Sequence, residues 1–293
     1  MERMNLMYIV MRKNVFSLAL LFSASLMAAC NQMGSYVQTI VSKTVADANN
    51  EVNAYDYKDS KEHGAVVERN VQVAPFTELT IDGRVRVVYT QGEETKVTIR
   101  GNEKDLERYE VRSRDGELYI HTKSSLVKIN SSSPRLTAYV TAPMVNEIDV
   151  SGACLLEMPQ KVEQNSALEI DGSGAVKVNI ANMEVHALTL DISGAGDVKL
   201  KQVKAKDHVD IGVSGAGEVA GSVEANVVNV GLSGAGDVSL TVNCDKLVSN
   251  VSGAGDLTLK GKCRTFRKSK SGAASLHTHH LKVTGRYCFF ECV

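Results

Sequence analysis

The chain has 293 residues, a formal net charge of −1, no tryptophan and only 5% aromatic residues. Because this net charge is near zero, the chain lacks the strongly basic composition that is typical of proteins that bind nucleic acids. The scarcity of aromatic rings also weighs against a site that stacks sugars on aromatic side chains.

The first 30 residues have the pattern of a bacterial lipoprotein signal peptide. Arg12 and Lys13 precede an apolar stretch over residues 15–27, which is too short to remain as a membrane-spanning helix. Ala28 and Ala29 then precede Cys30. This order predicts cleavage before Cys30 and acylation of its thiol, with an ordinary secretion signal or a membrane anchor as the alternatives.

The mature chain is predicted to be anchored to the membrane by its acyl chains and not by electrostatic attraction. Residues 1–29 contain three Lys or Arg and one Glu, so their removal leaves a net charge of about −3. Met1 and Met11 are both possible starts. Residues 31–65 are polar and have little hydrophobic pattern, which favours a flexible tether, although residues 36–45 could form a short helix.

Residues 66–148 are predicted to form the N-terminal β part of the folded head. Apolar residues alternate with polar ones in several short runs, and turns such as Asp82-Gly83 and Asp115-Gly116 separate these runs. A separate small β domain is one interpretation. We favour a cap, or irregular first coils of the following core, because an uncovered first coil would leave an open strand edge.

Residues 149–285 contain a repeat in which a Ser-Gly-Ala corner returns about every 20 residues. In the four strongest copies the corner continues as Gly-Asp or Gly-Glu. The corner serines are Ser151, Ser173, Ser193, Ser214, Ser233, Ser252 and Ser271. Such a fixed period is typical of a solenoid, in which each repeat forms one coil.

The residues around each corner alternate between apolar and polar, which predicts strands. Leu188, Leu190 and Ile192 precede the corner at Ser193, and later coils repeat this pattern with β-branched residues. Glycine at the corner is expected to supply a positive φ. The predicted fold class is therefore all-β: a parallel β-solenoid, right-handed and β-helix-like, with an N-terminal β cap.

The last coil differs from the others, and residues 286–293 form an atypical tail. Lys268 and Lys270 take positions that are apolar in most earlier coils. Because charge on a terminal strand blocks edge-to-edge growth, we interpret this strand as the end of the stack.

Several segments together resemble the head GIN domain family of bacterial lipoproteins, the putative auto-transporter adhesins, over about residues 66–285. The segments are Val73-Ala74-Pro75-Phe76-Thr77-Glu78-Leu79, Val85-Arg86-Val87, Gln91-Gly92, Val97-Thr98-Ile99, Gly116-Glu117-Leu118-Tyr119-Ile120 and the later corners. The resemblance implies an all-β, solenoid-like head behind a lipoprotein signal. It brings no catalytic or binding residues, and the tail after Gly285 departs from the family pattern.

An acidic column is the first candidate site. It consists of the residues four positions after successive corner serines, namely Asp197, Glu218, Asp237 and Asp256. Stacked coils would place these carboxylates about 5 Å apart, so the column could bind calcium as a cation ladder. We favour the alternative that they bond to turn amides and face water, because one carboxylate per coil supplies few ligands.

Cysteines and histidines give two further candidates. Cys244 and Cys263 occupy equivalent positions on neighbouring coils and could form a disulfide, although stacked free thiols suit the strand geometry better. Cys288 and Cys292 could also pair, and Cys154 would remain as a small corner residue. The pair His277 and His279 could bind a metal but lacks further ligands, so we predict no metal site.

The sequence favours a non-enzymatic, lipid-anchored protein of the cell envelope. We predict an adhesin or binding module that contacts an unknown protein or glycan through its extended surface, without a cofactor and without nucleic acid. The predicted location is the outer membrane, on either side of it. The alternatives are a polysaccharide-processing β-helix enzyme and a self-assembling scaffold, but the chain has neither a Gly-x-Ser-x-Gly elbow nor a phosphate-binding loop.

Overall fold

The computed structural model describes residues 64–123, 135–285 and 287–291, the last segment by its backbone alone. The predicted signal peptide, the acylation site at Cys30 and residues 31–63 of the predicted tether lie outside these ranges. Within them, no helix has the length and apolar character needed to cross a bilayer.

The described chain is almost entirely β. The strands of its first half are β1 (Val66–Val71), β2 (Glu78–Gly83), β3 (Val85–Gln91), β4 (Lys96–Asn102), β5 (Tyr109–Arg114), β6 (Glu117–Thr122), β7 (Leu136–Ala142), β8 (Glu147–Glu163) and β9 (Leu168–Gly172). One short helix, α1 (Glu103–Leu106), follows β4. The strands of its second half are β10 (Ala175–Val185), β11 (Leu188–Ile192), β12 (Ala195–Ala205), β13 (His208–Val213), β14 (Ala216–Leu232), β15 (Asp237–Gly253), β16 (Asp256–Gly272), β17 (Ser275–Val283) and β18 (Tyr287–Glu291).

These strands stack into two long ladders, which we call the first sheet and the second sheet. The first sheet contains the segments before each corner, in the order β5-β6-β2-β8-β9-β11-β13-β14-β15-β16-β18. The second sheet contains the segments after each corner, in the order β1-β4-β7-β3-β8-β10-β12-β14-β15-β16-β17. Strands β8, β14, β15 and β16 pass through a corner and contribute to both. The predicted parallel β-solenoid is therefore confirmed.

The predicted N-terminal β cap is also confirmed, and it continues the stack of coils. Strands β2 and β3 pair in parallel with β8, and β6 and β7 pair in parallel with β2 and β3 as an outer coil. Antiparallel strands then close this end, with β5 on the first sheet and β4 followed by β1 on the second. One hydrophobic cluster extends from Phe76 to Ala274, so cap and coils share a core.

Alternate side chains of every coil fill the interior. Leu190, Ile211 and Val230 stack on one another in register and are fully buried. In the next coil this position belongs to Ser249, which is 0% exposed and whose hydroxyl has no hydrogen-bond partner. Lys268 lies opposite Ser249 on β16, so the run of buried apolar residues at this position ends at Val230, three strands before the end of the first sheet.

The corner glycines have a different role from the one predicted. Gly152, Gly174 and Gly272 do have positive φ angles, but Gly194, Gly215, Gly234 and Gly253 do not. A Cβ atom on any of those four would overlap with the carbonyl oxygen of the corner glycine one coil earlier. That same oxygen accepts a hydrogen bond from the following alanine, as between Ala235 N and Gly215 O at 3.1 Å. Close stacking, and not backbone conformation, therefore requires glycine at these corners.

The interpretation of the last coil is wrong in one respect. The strand that carries Lys268 and Lys270 does not end the stack, because β18 pairs with it in parallel. Lys268 lies opposite Phe289, and Lys270 lies opposite Glu291. The backbone of residues 287–291, part of the predicted atypical tail, thus adds one more strand to the first sheet.

Two glycine-to-alanine substitutions in the same part of the solenoid should differ sharply in effect. Gly234→Ala forces a methyl group against a backbone carbonyl, so we expect it to lower the free energy of unfolding by about 1–3 kcal/mol. Gly231→Ala is the matched control, because its Cβ would meet no atom closer than Ile211 O at 3.9 Å. It should be neutral, or stabilising by up to about 1 kcal/mol. Urea denaturation measures both, and equal destabilisation would contradict the stacking argument.

Candidate binding surface

Stacking in register places chemically equivalent outward side chains in columns. Neighbouring parallel strands lie about 4.8 Å apart, and every second side chain on a strand faces away from the core. The outside of the solenoid is therefore a grid whose rows are strands and whose columns run from coil to coil. A residue type that recurs at an outward position of the repeat therefore lies one strand spacing from its equivalent in the next coil.

The first sheet presents an uncompensated group of carboxylates that we call the acidic face. Its members are Glu78, Glu117, Glu147, Asp149, Glu169, Asp171, Asp191 and Asp210. One column contains Glu117, Glu78, Glu147 and Glu169 in direct register. The adjacent column contains Asp149, Asp171 and Asp191.

Like charges at this spacing raise the proton affinity of their neighbours. The pKa of Asp171 lies above its ordinary value of 3.8 because of partial burial and, second, the nearby Asp149 carboxylate. Burial also raises the pKa of Asp191, with Asp171 and Asp210 adding to the effect. The pKa of Glu147 is raised in the same way, by burial and by four surrounding carboxylates. The acidic face is thus an electrostatic cost to the folded state.

Only the margins of the acidic face have partners. Glu117 accepts hydrogen bonds from the hydroxyls of Thr80 and Tyr119, and the Arg112 guanidinium lies 4.8 Å from the centre of the Tyr119 ring. At the other margin, Asn229 Nδ2 donates to Asp210 Oδ1 at 2.6 Å. Between these margins, no described lysine or arginine forms an ion pair with the central carboxylates.

A shallow groove continues the aspartate column beyond Asp191. Gly212 and Gly231 occupy the next two positions of this column, and Asn250 follows them. The glycines leave a trough that is bordered by the corner serines Ser214 and Ser233. The acidic face and this groove therefore lie side by side on the first sheet.

The acidic face was not predicted, although part of its signal is present in the sequence. That signal lies at the polar positions between the apolar residues that precede each corner serine. Those positions read Glu147 and Asp149 in one coil, then Glu169 and Asp171 in the next. The contribution of Glu117 could not be inferred, because it depends on β6 pairing with the earlier strand β2.

The predicted acidic column on the second sheet is present, and two lysines lie beside its most buried member. Lys177, Asp197, Glu218 and Asp237 lie in register on successive coils. Asp197 is only 6% exposed, and one of its oxygens lies 3.2 Å from Lys177 Nζ and 3.6 Å from Lys199 Nζ.

At the other end of this column a carboxylate bonds to the backbone of the next coil. Asp237 Oδ1 accepts a hydrogen bond from the amide of Asp256 at 3.1 Å. The contact at Asp237 is a bond to a backbone amide, as the alternative expects, whereas Asp197 is buried and does not face water. The cation ladder stays a prediction.

The predicted cysteine pair lies on neighbouring coils. Cys244 and Cys263 are directly opposite each other on β15 and β16, and both are free thiols. Burial raises the pKa of both, that of Cys244 to about 12. A bridge between them stays a prediction that a thiol titration would test. Cys154 is a buried free thiol at the first corner, whereas the side chains of Cys288 and Cys292 lie outside the described residues.

The predicted histidine pair lies on the exposed edge strand β17. The ring centroids of His277 and His279 are 6.5 Å apart and tilted by 38°. Among the residues that the structure describes, no group of three or more histidine, cysteine or acidic side chains could hold a metal ion.

Comparison with known proteins identifies relatives of this fold. A family model described as "Putative auto-transporter adhesin, head GIN domain" matches residues 75–222 and 201–285. Among curated proteins no sequence matches this chain.

Solved structures resemble the chain over about four fifths of its length. A putative adhesin from Bacteroides fragilis is 20% identical with a TM-score of 0.52, and the match covers 80% of this chain and 98% of that one. A putative adhesin from Parabacteroides distasonis is 16% identical with a TM-score of 0.57, with coverages of 81% and 98%. A putative lipid binding protein from Parabacteroides distasonis is 15% identical with a TM-score of 0.51, with coverages of 80% and 100%. At such identities these similarities show the fold alone.

Neutralising one carboxylate of the acidic face should stabilise the protein in a pH-dependent way. Because the folded-state pKa of Asp171 is raised, the folded protein binds more protons than the unfolded chain just above pH 3.8, and stability falls as pH rises through the folded pKa. Asp171→Asn removes this loss. We expect its free energy of unfolding to exceed that of wild type by about 0.2–1 kcal/mol at pH 7.

The gain should become small near pH 3.5, which lies below the ordinary pKa of 3.8, because the carboxyl group is then mostly protonated in both states. Glu94→Gln, at an exposed position in the turn after β3, is the charge-matched control and should show no such dependence. Urea denaturation between pH 3.5 and 7 measures the difference. A destabilised Asp171→Asn at pH 7 would show that the carboxylates of the acidic face do not repel one another.

Proposed function

Because the chain belongs to the family described as putative auto-transporter adhesin, head GIN domain, we propose that it is a non-enzymatic binding protein of the cell envelope. In this proposal its action is adhesin-like: the solenoid binds a protein or glycan outside the cell through its outer surface. Acyl chains on Cys30 attach it to the outer membrane, in keeping with the signal-peptide pattern of the first 30 residues.

The observation that carries the proposal is that the solenoid combines a filled apolar interior with an outer surface of regularly placed side chains. One continuous hydrophobic cluster fills the interior from the cap to the last coils. Parallel pairing holds the backbone of each coil, so the outward side chains stand at fixed positions on long sheets. Repeat folds use such extended surfaces to bind macromolecules.

The most abundant candidate nucleophiles serve structure, which favours binding over catalysis. Corner serines recur in every coil, and in the described part of the chain none is hydrogen-bonded to a histidine. Ser193 Oγ instead donates to the carbonyl of Gly172 at 3.3 Å. The described thiols are buried, and burial raises the pKa of Cys154 to about 12, so the nucleophilic thiolate is disfavoured.

Surface exposure in intact cells tests the adhesin-like role. We expect an added protease to remove the head of the native protein while a periplasmic marker protein stays intact. Protection of the head until the outer membrane is opened would contradict adhesion and would place the binding partner in the periplasm.

Acylation of Cys30 is a separate expectation. Cys30→Ser should abolish incorporation of a labelled fatty acid and release the protein from the membrane fraction, whereas the control Ser35→Ala should change neither. Continued labelling of the Cys30→Ser variant would contradict the proposed anchor.

A further inference from the structure

The terminal coils carry a second charged surface, on the second sheet, that the repeat pattern did not reveal. Nine outward side chains from β15, β16 and β17 form a grid of three rows and three columns, which we call the terminal grid. Its columns are Ser239-Thr258-His277, Thr241-Lys260-His280 and Asn243-Lys262-Lys282. None of the nine is acidic, and none is apolar.

The lysines of the terminal grid have no acidic partners among the described residues. Lys260, Lys262 and Lys282 are exposed, and none of them forms an ion pair there. The acidic side chain that follows the β15 row, Asp245, is already held by Arg264 at 3.5 Å. From residue 260 to residue 285 the chain contains seven Lys or Arg and no Asp or Glu. The positive potential of this surface is therefore available to a partner.

One of these columns is balanced in the earlier coils of the second sheet. Glu184, Lys204 and Glu224 precede Asn243 in it, so opposite charges alternate from coil to coil. Lys161 lies 3.2 Å from Glu184 and 2.7 Å from Glu163 in the same region. Only at the terminal coils does the column change to a run without carboxylates.

The first row of the terminal grid adds groups suited to a neutral polar partner. Ser239 and Thr241 offer hydroxyls, and Asn243 offers an amide, directly beside the basic rows. Hydroxyls and amides can both donate and accept hydrogen bonds, as sugar hydroxyls require, whereas lysine ammonium groups bind anionic substituents. The combination fits a ligand that carries hydroxyl groups and negative charges together.

We propose that the terminal grid binds an anionic polysaccharide, a glycan chain that bears sulfate, phosphate or carboxylate groups. Charges repeat about every 5 Å between its rows and about every 7 Å along its strands, so a polymer with repeating charge can meet several lysines at once. The grid offers no apolar side chain that could enter a membrane. This inference rests on the proposed binding function, for which it names a partner class.

Dextran sulfate, with uncharged dextran of the same length as its control, provides the direct test. The purified full chain in detergent should bind dextran sulfate at low salt and should not bind dextran. Affinity should fall steeply as salt increases, because binding to a polyanion releases its condensed cations.

A triple variant and its matched control locate the site. Lys260→Gln, Lys262→Gln and Lys282→Gln together should weaken binding to dextran sulfate by roughly tenfold or more, the loss of about 1.4 kcal/mol. Lys96→Gln, Lys201→Gln and Lys204→Gln remove the same charge from β4 and β12 on the same sheet and should change affinity less than about twofold. Both variants alter exposed lysines, and circular dichroism checks that each is folded.

Three results would overturn the proposal. They are no binding of dextran sulfate by wild type, an equal loss in both triple variants, and equal or tighter binding to polyglutamate, to phosphatidylglycerol vesicles or to a single-stranded DNA oligonucleotide. Failure here would not remove the proposed function, since surface exposure in intact cells is measured independently. Conversely, a head that is protected in cells but binds dextran sulfate would contradict adhesion and leave the terminal grid in place.

Discussion

Close backbone contact at the corners is the constraint on which the rest of the solenoid depends. The carbonyl of each central corner glycine accepts a hydrogen bond from the alanine amide of the next coil, as from Ala216 to Gly194 at 3.0 Å. The next corner glycine lies directly over that carbonyl and has no room for a Cβ atom. Coils can therefore stack only in register, with glycine over glycine. This contact aligns the strands on both sides of the corner, so the residues next to it lie on their equivalents in the next coil.

Because the coils stack in register, the charge interactions of an outward side chain depend on the other residues in its column. A charge that recurs in the repeat meets its own kind about 4.8 Å away, where repulsion is costly. The structure shows three outcomes. On the second sheet, Lys177 and Lys199 lie beside Asp197 and offset the charge of that one carboxylate. At Asp237, a carboxylate accepts a backbone hydrogen bond from the next coil. On the acidic face the cost is left uncompensated, which packing and folding alone do not require.

The sequence predicted those features that repeat from one coil to the next. Corner spacing and alternation before residues such as Ser193 and Ser233 identify strands, coils and their parallel stacking, because each coil pairs with the one that follows it. Features that break this order were not predictable. Strand β6 pairs with the earlier strand β2 and so places Glu117 beside Glu78. The backbone of residues 287–291 extends the first sheet beyond Lys268 and Lys270, whose charges had predicted its end. The reason for glycine at Gly215 also escaped prediction, because it lies in a contact between coils and not in the local backbone.

A solenoid with a filled core can recognise a partner only through the grid on its outside, and the grid favours partners that also repeat. One lysine on an exposed strand contributes little to affinity, since water and salt screen it. Several lysines in register, such as Lys260 and Lys262 on the same strand, become effective when the ligand presents a second charge after the first has bound. The acidic face and the terminal grid lie on different sheets, so an anionic polymer that contacts the terminal coils need not cross the carboxylates of the first sheet. Recognition by such a protein would therefore depend less on one pocket than on where along the stack the columns change their charge.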